Sequence, residues 1–147
     1  MSAPDCSSAE RPPERCRTTV RQRVVLDVLR RNDRFRSAQQ LHAELHSGAT
    51  IRIGLTSVYR ILHRLTEQHL VETQRAEDGE VLYRIRGGSE HHHNLLCRIC
   101  GRAERFTHAD LEYATEHIAV QHRYTDVSHH IDLYGTCPDC AVGSAGE

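Results

Sequence analysis

The sequence predicts an α+β chain in two units, and three observations carry that prediction. Helical patterns followed by a hairpin signal fill the first half, strand patterns around one helix fill the second, and the charge changes sign between them. A formal net charge of −1 hides the last point, because residues 1–86 carry fifteen Arg against eleven acids and residues 87–147 only four Arg against nine. Within residues 11–64 the count is twelve Arg to four acids. The first half can attract a polyanion such as nucleic acid and the second a metal cation; on charge alone, solvated charged faces explain the counts equally well.

The elements follow in order. Thr19-x-x-Gln22 forms a capping box ahead of Val24, Val25, Val28 and Leu29, which recur at helical spacing. Ser37-x-x-Gln40 repeats the signal before Ala38, Leu41 and Leu45, with Gly48 as a stop. A third helix is expected from about Leu55 to Gln68: Leu55, Val58, Leu62 and Leu65 line one face, and Thr56, Ser57, Arg60, His63 and Arg64 the other. Val71 to Arg75 and Val81 to Arg86 read as two strands joined at Glu77-Asp78-Gly79. Three helices and a hairpin make a winged helix-turn-helix.

Gly87, Gly88 and Ser89 read as a linker, which divides the chain into a polar segment 1–16, a winged-helix unit 17–86, the linker 87–89 and a small α/β unit 90–147. In the last of these, His91 to Cys97 alternates as a strand, and Thr107-x-x-Asp110 is expected to cap a helix through about His122 with Leu111, Ala114 and Ile118 on one face. Val127, His129, Ile131 and Leu133 alternate on a final strand.

With 147 residues, 38% of them apolar and 27% charged, the chain can bury a core. No stretch approaches eighteen apolar residues and residues 1–17 lack an apolar run, so neither a transmembrane span nor a secretory signal is expected. A cytoplasmic, reducing compartment follows, in which paired Cys read first as metal ligands or redox groups. Twelve His is a high count, and eight lie at or after His91 beside four of the six Cys.

Cys97-x-x-Cys100-Gly101 and Cys137-x-x-Cys140 are two knuckles, thirty-six residues apart. A two-residue spacer presents both thiolates to one ion, and two such pairs complete a closed tetrahedral Cys₄ site for structural Zn²⁺. A thioredoxin-like redox pair needs one such motif, not two. Cys6 and Cys16 have no partner in the polar segment. Strand alternation places His91 and His93 on one face and His92 and Asn94 on the other. With His129 from the last strand and Glu112 from the intervening helix, His91 and His93 supply three imidazoles and a carboxylate, a set that suits Zn²⁺ and tolerates Fe²⁺.

One enzyme reading competes. His42-Ala43-Glu44 with Cys137-x-x-Cys140 matches the letters of the zinc deaminase signature. However, His42 falls between Leu41 and Leu45 on an amphipathic helix, no Pro immediately precedes Cys137, and the other Cys pair stays unexplained.

LTSVYRILHRL at 55–65, HHHNLLCRICG at 91–101 and the terminal GTCPDC resemble the ferric uptake regulator family over roughly residues 17–140. FRSAQQLH, the stretch from Arg75 to Tyr83 and the His run are most similar to its actinobacterial zinc regulators. The resemblance implies a homodimeric, metal-dependent repressor that binds a double-stranded DNA operator, with no catalysis, small-molecule substrate or membrane partner. By that likeness Cys97, Cys100, Cys137 and Cys140 hold structural zinc, His91, His93, Glu112 and His129 hold the regulatory metal, and the C-terminal unit dimerises. Ser57, Tyr59 and Arg60 face DNA by the same likeness. The family's second regulatory site maps to Glu72, Arg86, His92 and Asn94, where Arg adds a positive charge and Asn is a poor ligand; only Glu72 and His92 remain, as a weak partial site. Iron- or peroxide-responsive regulation is the alternative within the family. Zinc storage or metallochaperone activity and a zinc-dependent deaminase or hydrolase are the alternatives outside it.

Overall fold

The computed structural model describes residues 18–48, 51–88 and 90–143. Cys6, Cys16 and Ser89 lie outside them. Three helices, α1 (Val20–Arg31), α2 (Ala38–Gly48) and α3 (Leu55–Glu67), precede the hairpin β2 (Val71–Arg75) and β3 (Val81–Ile85); a two-residue strand β1 (Arg36–Ser37) pairs with β3 to give the sheet order β1-β3-β2. This is the winged helix-turn-helix that the patterns predict. Both capping boxes form. Thr19 Oγ1 accepts from the Gln22 amide at 3.2 Å while Gln22 Oε1 accepts from the Thr19 amide, and Ser37 and Gln40 repeat the exchange. The apolar stripes of the three helices meet in one core that includes Val25, Leu29, Leu41, Val58, Leu62 and Leu65.

Arg36 closes the end of α1. Its buried guanidinium donates to the carbonyls of Val28, Leu29 and Asn32 and pairs with Glu44, so the orphan carbonyls of the last helical turn find a donor.

The second unit has β4 (His93–Cys97) at the centre of the order β5-β4-β6, with β5 (Ala103–Phe106) antiparallel and β6 (Asp132–Gly135) parallel to it. Helix α4 (Ala109–Gln121) makes the crossover and α5 (Pro138–Gly143) ends the described chain. Three expectations change here. The first strand begins at His93, so His91 and His92 precede it instead of lying on it. The α4 N-cap is His108 without a side-chain cap bond, so Thr107 is not the capping residue. The final strand starts at Asp132: Val127 is half exposed, and His129 turns toward His91 and Glu112 of α4 instead of joining a ladder. No residue of α4 is buried, and Ile118 is exposed.

The two units touch through a small apolar cluster, in which Phe35 and Leu82 meet Leu96 with Ala76, Ala103 and Tyr134 around them, and through polar contacts beside it. The Phe35 N–H donates to the Gly101 carbonyl, Tyr134 Oη donates to the Arg75 carbonyl at 2.7 Å, and Arg98 pairs with Glu77 at the wing tip at 2.9 Å. Asn94 donates to Gln74 in a buried contact.

Candidate metal centres and nucleic-acid face

Parallel pairing of β4 with β6 sets Cys97 opposite Gly135, so the chain reaches Cys137 two residues later beside the first knuckle. Gly101, at φ +73°, turns the chain out of that knuckle. All four Sγ atoms lie within 4.8 Å of one another, and Cys100 and Cys137 are 3.7 Å apart. Zn–S bonds of about 2.3 Å in a tetrahedron require S···S edges of about 3.8 Å, so the donor set fits zinc. Burial opposes ionisation of Cys97, yet amide donors led by that of Cys137 outweigh it and bring the thiol down to about 6. Cys140 is pushed up to about 12, first by its hydrogen bond to Cys137 and then by burial.

The second cluster assembles as expected. His93 opens β4 fully buried, and its Nε2 is 2.7 Å from Glu112 Oε1; His129 Nε2 is 3.0 Å and His91 Nε2 3.5 Å from Oε2. His91 and His129 meet Nε2 to Nε2 at 3.2 Å. Three ring nitrogens and a carboxylate face one point, and N···N or N···O edges of about 3.3 Å are those of a tetrahedral Zn²⁺ site with bonds of 2.0–2.1 Å. The His93 contact, with the charges of His129 and His91, holds the Glu112 carboxyl below the usual range. These residues fit a divalent ion.

The positions of the supposed second site do not converge. His92 Nε2 is 3.7 Å from Glu72 Oε2, but Arg86 turns to the Gly88 carbonyl and His69, and Asn94 is taken by Gln74. Glu72 instead receives Arg84 and Arg105, neither of which the sequence marked out. Among the described residues, only the Cys and His–Glu groups bring three or more ligands together.

On α3, Tyr59 and Arg60 are exposed and Ser57 half-buried. Ser57, Arg60 and Arg64 line a cleft of about 180 Å³ with Thr19 and Arg21 of the α1 entry. Arg21 was not legible as a partner of Arg60, since only the packing of α1 on α3 joins them. Burial of Tyr83, and then nearby Tyr59, raises the Tyr83 phenol.

A winged helix fused to a sheet unit with two metal-ligand clusters defines a metal-binding winged-helix protein. Residues 14–134 match the ferric uptake regulator family, and the chain belongs to it. It is 40% identical over 124 residues to the zinc uptake regulation protein of Mycobacterium tuberculosis H37Rv, covering 84% of this chain and 94% of that one. The crystal structure of the Vibrio cholerae ferric uptake regulator superposes with a TM-score of 0.64 at 28% identity, covering 81% of this chain and 90% of that one. A zinc uptake regulator complexed with zinc and DNA shares the fold at 23% identity and a TM-score of 0.63, over 88% and 86% of the two chains.

Proposed function

We propose that the chain is a zinc-responsive, DNA-binding transcriptional repressor of metal-uptake genes that works as a homodimer. The convergence of His91, His93 and His129 on Glu112 carries the reading. These ligands come from the entry to β4, from α4 and from the approach to β6, so an ion held there supplies a cross-link between segments that otherwise move separately. Cys97, Cys100, Cys137 and Cys140 hold a second, structural zinc. Ser57, Tyr59 and Arg60 would enter the major groove, and Arg21 and Arg64 would neutralise phosphates beside them. Exposed Tyr113, Ile118, Val120 and Tyr124 on or next to α4 supply the apolar face of a dimer. We place the division between the units at residues 87–89.

Zinc is favoured over iron or peroxide sensing by the 40% identical relative, a zinc uptake regulation protein. Storage needs no recognition helix. Catalysis needs an open metal position, whereas both clusters offer four protein ligands. The deaminase reading loses its proton carrier, because Glu44 is paired with Arg36 and Cys137 and Cys140 group with the other two Cys. No helix among the described residues is long and apolar enough to cross a membrane. The test is a DNA-binding titration of the purified protein against zinc, iron and manganese after elemental analysis: operator affinity that rises with zinc supports the reading, and affinity indifferent to metal refutes it.

A further inference from the structure

We propose that Arg84 and Arg105 are specificity-determining residues: their guanidinium groups stand as fixed cations on Glu72 at the junction of the two units, so that this protein holds two metal ions per protomer and senses only through the His–Glu cluster. The inference deepens the reading above and depends on it only for its DNA-binding arm.

Glu72 Oε1 accepts from Arg84 Nε at 3.0 Å, from Arg84 Nη2 at 2.8 Å and from Arg105 Nη2 at 2.6 Å. Arg84 is its cross-strand partner in the wing, whereas Arg105 comes from β5 of the other unit, so the carboxylate is shared between the two. Arg84 is only 2% exposed, lies 4.4 Å over the Phe35 ring and donates weakly to the Ala103 carbonyl at 3.4 Å. It cannot swing into water without breaking these contacts, and a guanidinium does not lose its proton. Arg105 is less enclosed, with 28% of its side chain exposed, and is held by its 2.6 Å contact to Glu72. Its guanidinium passes against Gly87, where a Cβ would fall 2.6 Å from both terminal nitrogens.

The free oxygen of Glu72 has His92 Nε2 at 3.7 Å, a contact that on its own suggests a metal pair. A divalent ion placed there would face two permanent positive charges across Glu72, offset besides, among the described residues, only by the exposed Asp33 at 3.7 Å from Arg84, and Asn94 and Arg86 are engaged elsewhere. The guanidinium pair makes the link that a cation would otherwise make. Unlike a metal, it does not vary with supply, and the junction stays joined whether the His–Glu cluster is loaded or not.

The test counts zinc and then reads DNA affinity in wild type, Glu72→Gln, Arg105→Ala and Arg105→Lys. Elemental analysis after dialysis against excess zinc and removal of the free ion is expected to give two per protomer in all four. Operator affinity at saturating zinc is expected to fall about tenfold in Glu72→Gln and in Arg105→Ala, with partial recovery in Arg105→Lys. Arg105→Ala leaves the buried Arg84–Glu72 pair intact, which keeps the test sound if Glu72→Gln melts early. Three zinc ions in wild type falling to two in Glu72→Gln would overturn the proposal by making Glu72 a ligand, and so would wild-type affinity in Arg105→Ala. Wild-type protein with two zinc ions and no zinc-dependent DNA binding would refute the functional reading and leave the count standing.

Discussion

Phe35 and Gly101 are in backbone contact: the Phe35 N–H donates to the Gly101 carbonyl at 2.8 Å, and a Cβ on Gly101 would sit 2.1 Å from the Phe35 carbonyl oxygen. Gly101 follows the first Cys-x-x-Cys knuckle, and Phe35 belongs to the turn between α1 and α2, so the Cys₄ cluster is bonded directly to the winged helix. Arg98 inside the same knuckle pairs with Glu77 of the wing. An acidic wing tip held in this way faces the Cys₄ cluster.

Gly101→Ala therefore loosens the seam by two routes. A side chain at φ +73° costs about 1–2 kcal/mol in backbone strain, and the backbone clash with Phe35 forces the two segments apart. Limited proteolysis is expected to cut near residues 87–90 faster in this variant, with zinc content unchanged. Equal cleavage rates would show that the contact does not hold the units together.

Cys137→Ser removes one thiolate from the closed site. Structural zinc binding contributes on the order of 10 kcal/mol of folding free energy, so the variant is expected to lose one zinc per protomer and much of its thermal stability. Full zinc content with a native melting curve would refute the Cys₄ assignment.

Arg60→Ala tests the nucleic-acid face. Loss of a base-edge or phosphate contact is expected to weaken operator binding by about 1–3 kcal/mol and, for a phosphate contact, to lower the salt dependence by about one ion. Metal content and oligomeric state should be unchanged. Unaltered affinity by fluorescence anisotropy would move the recognition surface off α3.

The first unit was legible because its signals are local. Thr19, Gln22, Ser37 and Gln40 cap their helices within three residues, and Leu55, Val58, Leu62 and Leu65 mark one face at helical spacing. Both metal clusters were legible from residue type and spacing, even though the strand supposed to carry His129 does not extend that far. There the alternation of Val127, His129 and Ile131 reflects an exposed apolar residue near an imidazole turned to Glu112, not a ladder. Strand β5 escaped notice because AERF carries no alternation of its own and takes its form from pairing with β4. Nothing in the sequence marks Arg84 or Arg105; only the fold reveals that one is buried and that both meet on Glu72.

The central claim, that the His–Glu cluster is the sensor, is tested most directly by zinc-titrated operator binding of His129→Ala and His92→Ala, each with its Cys₄ zinc verified beforehand. His129→Ala is expected to abolish zinc-activated binding while keeping that structural zinc, and His92→Ala to retain activation near the wild-type zinc concentration. Activation that survives in His129→Ala, or fails first in His92→Ala, would contradict the account and place sensing on the Glu72 side of the strand.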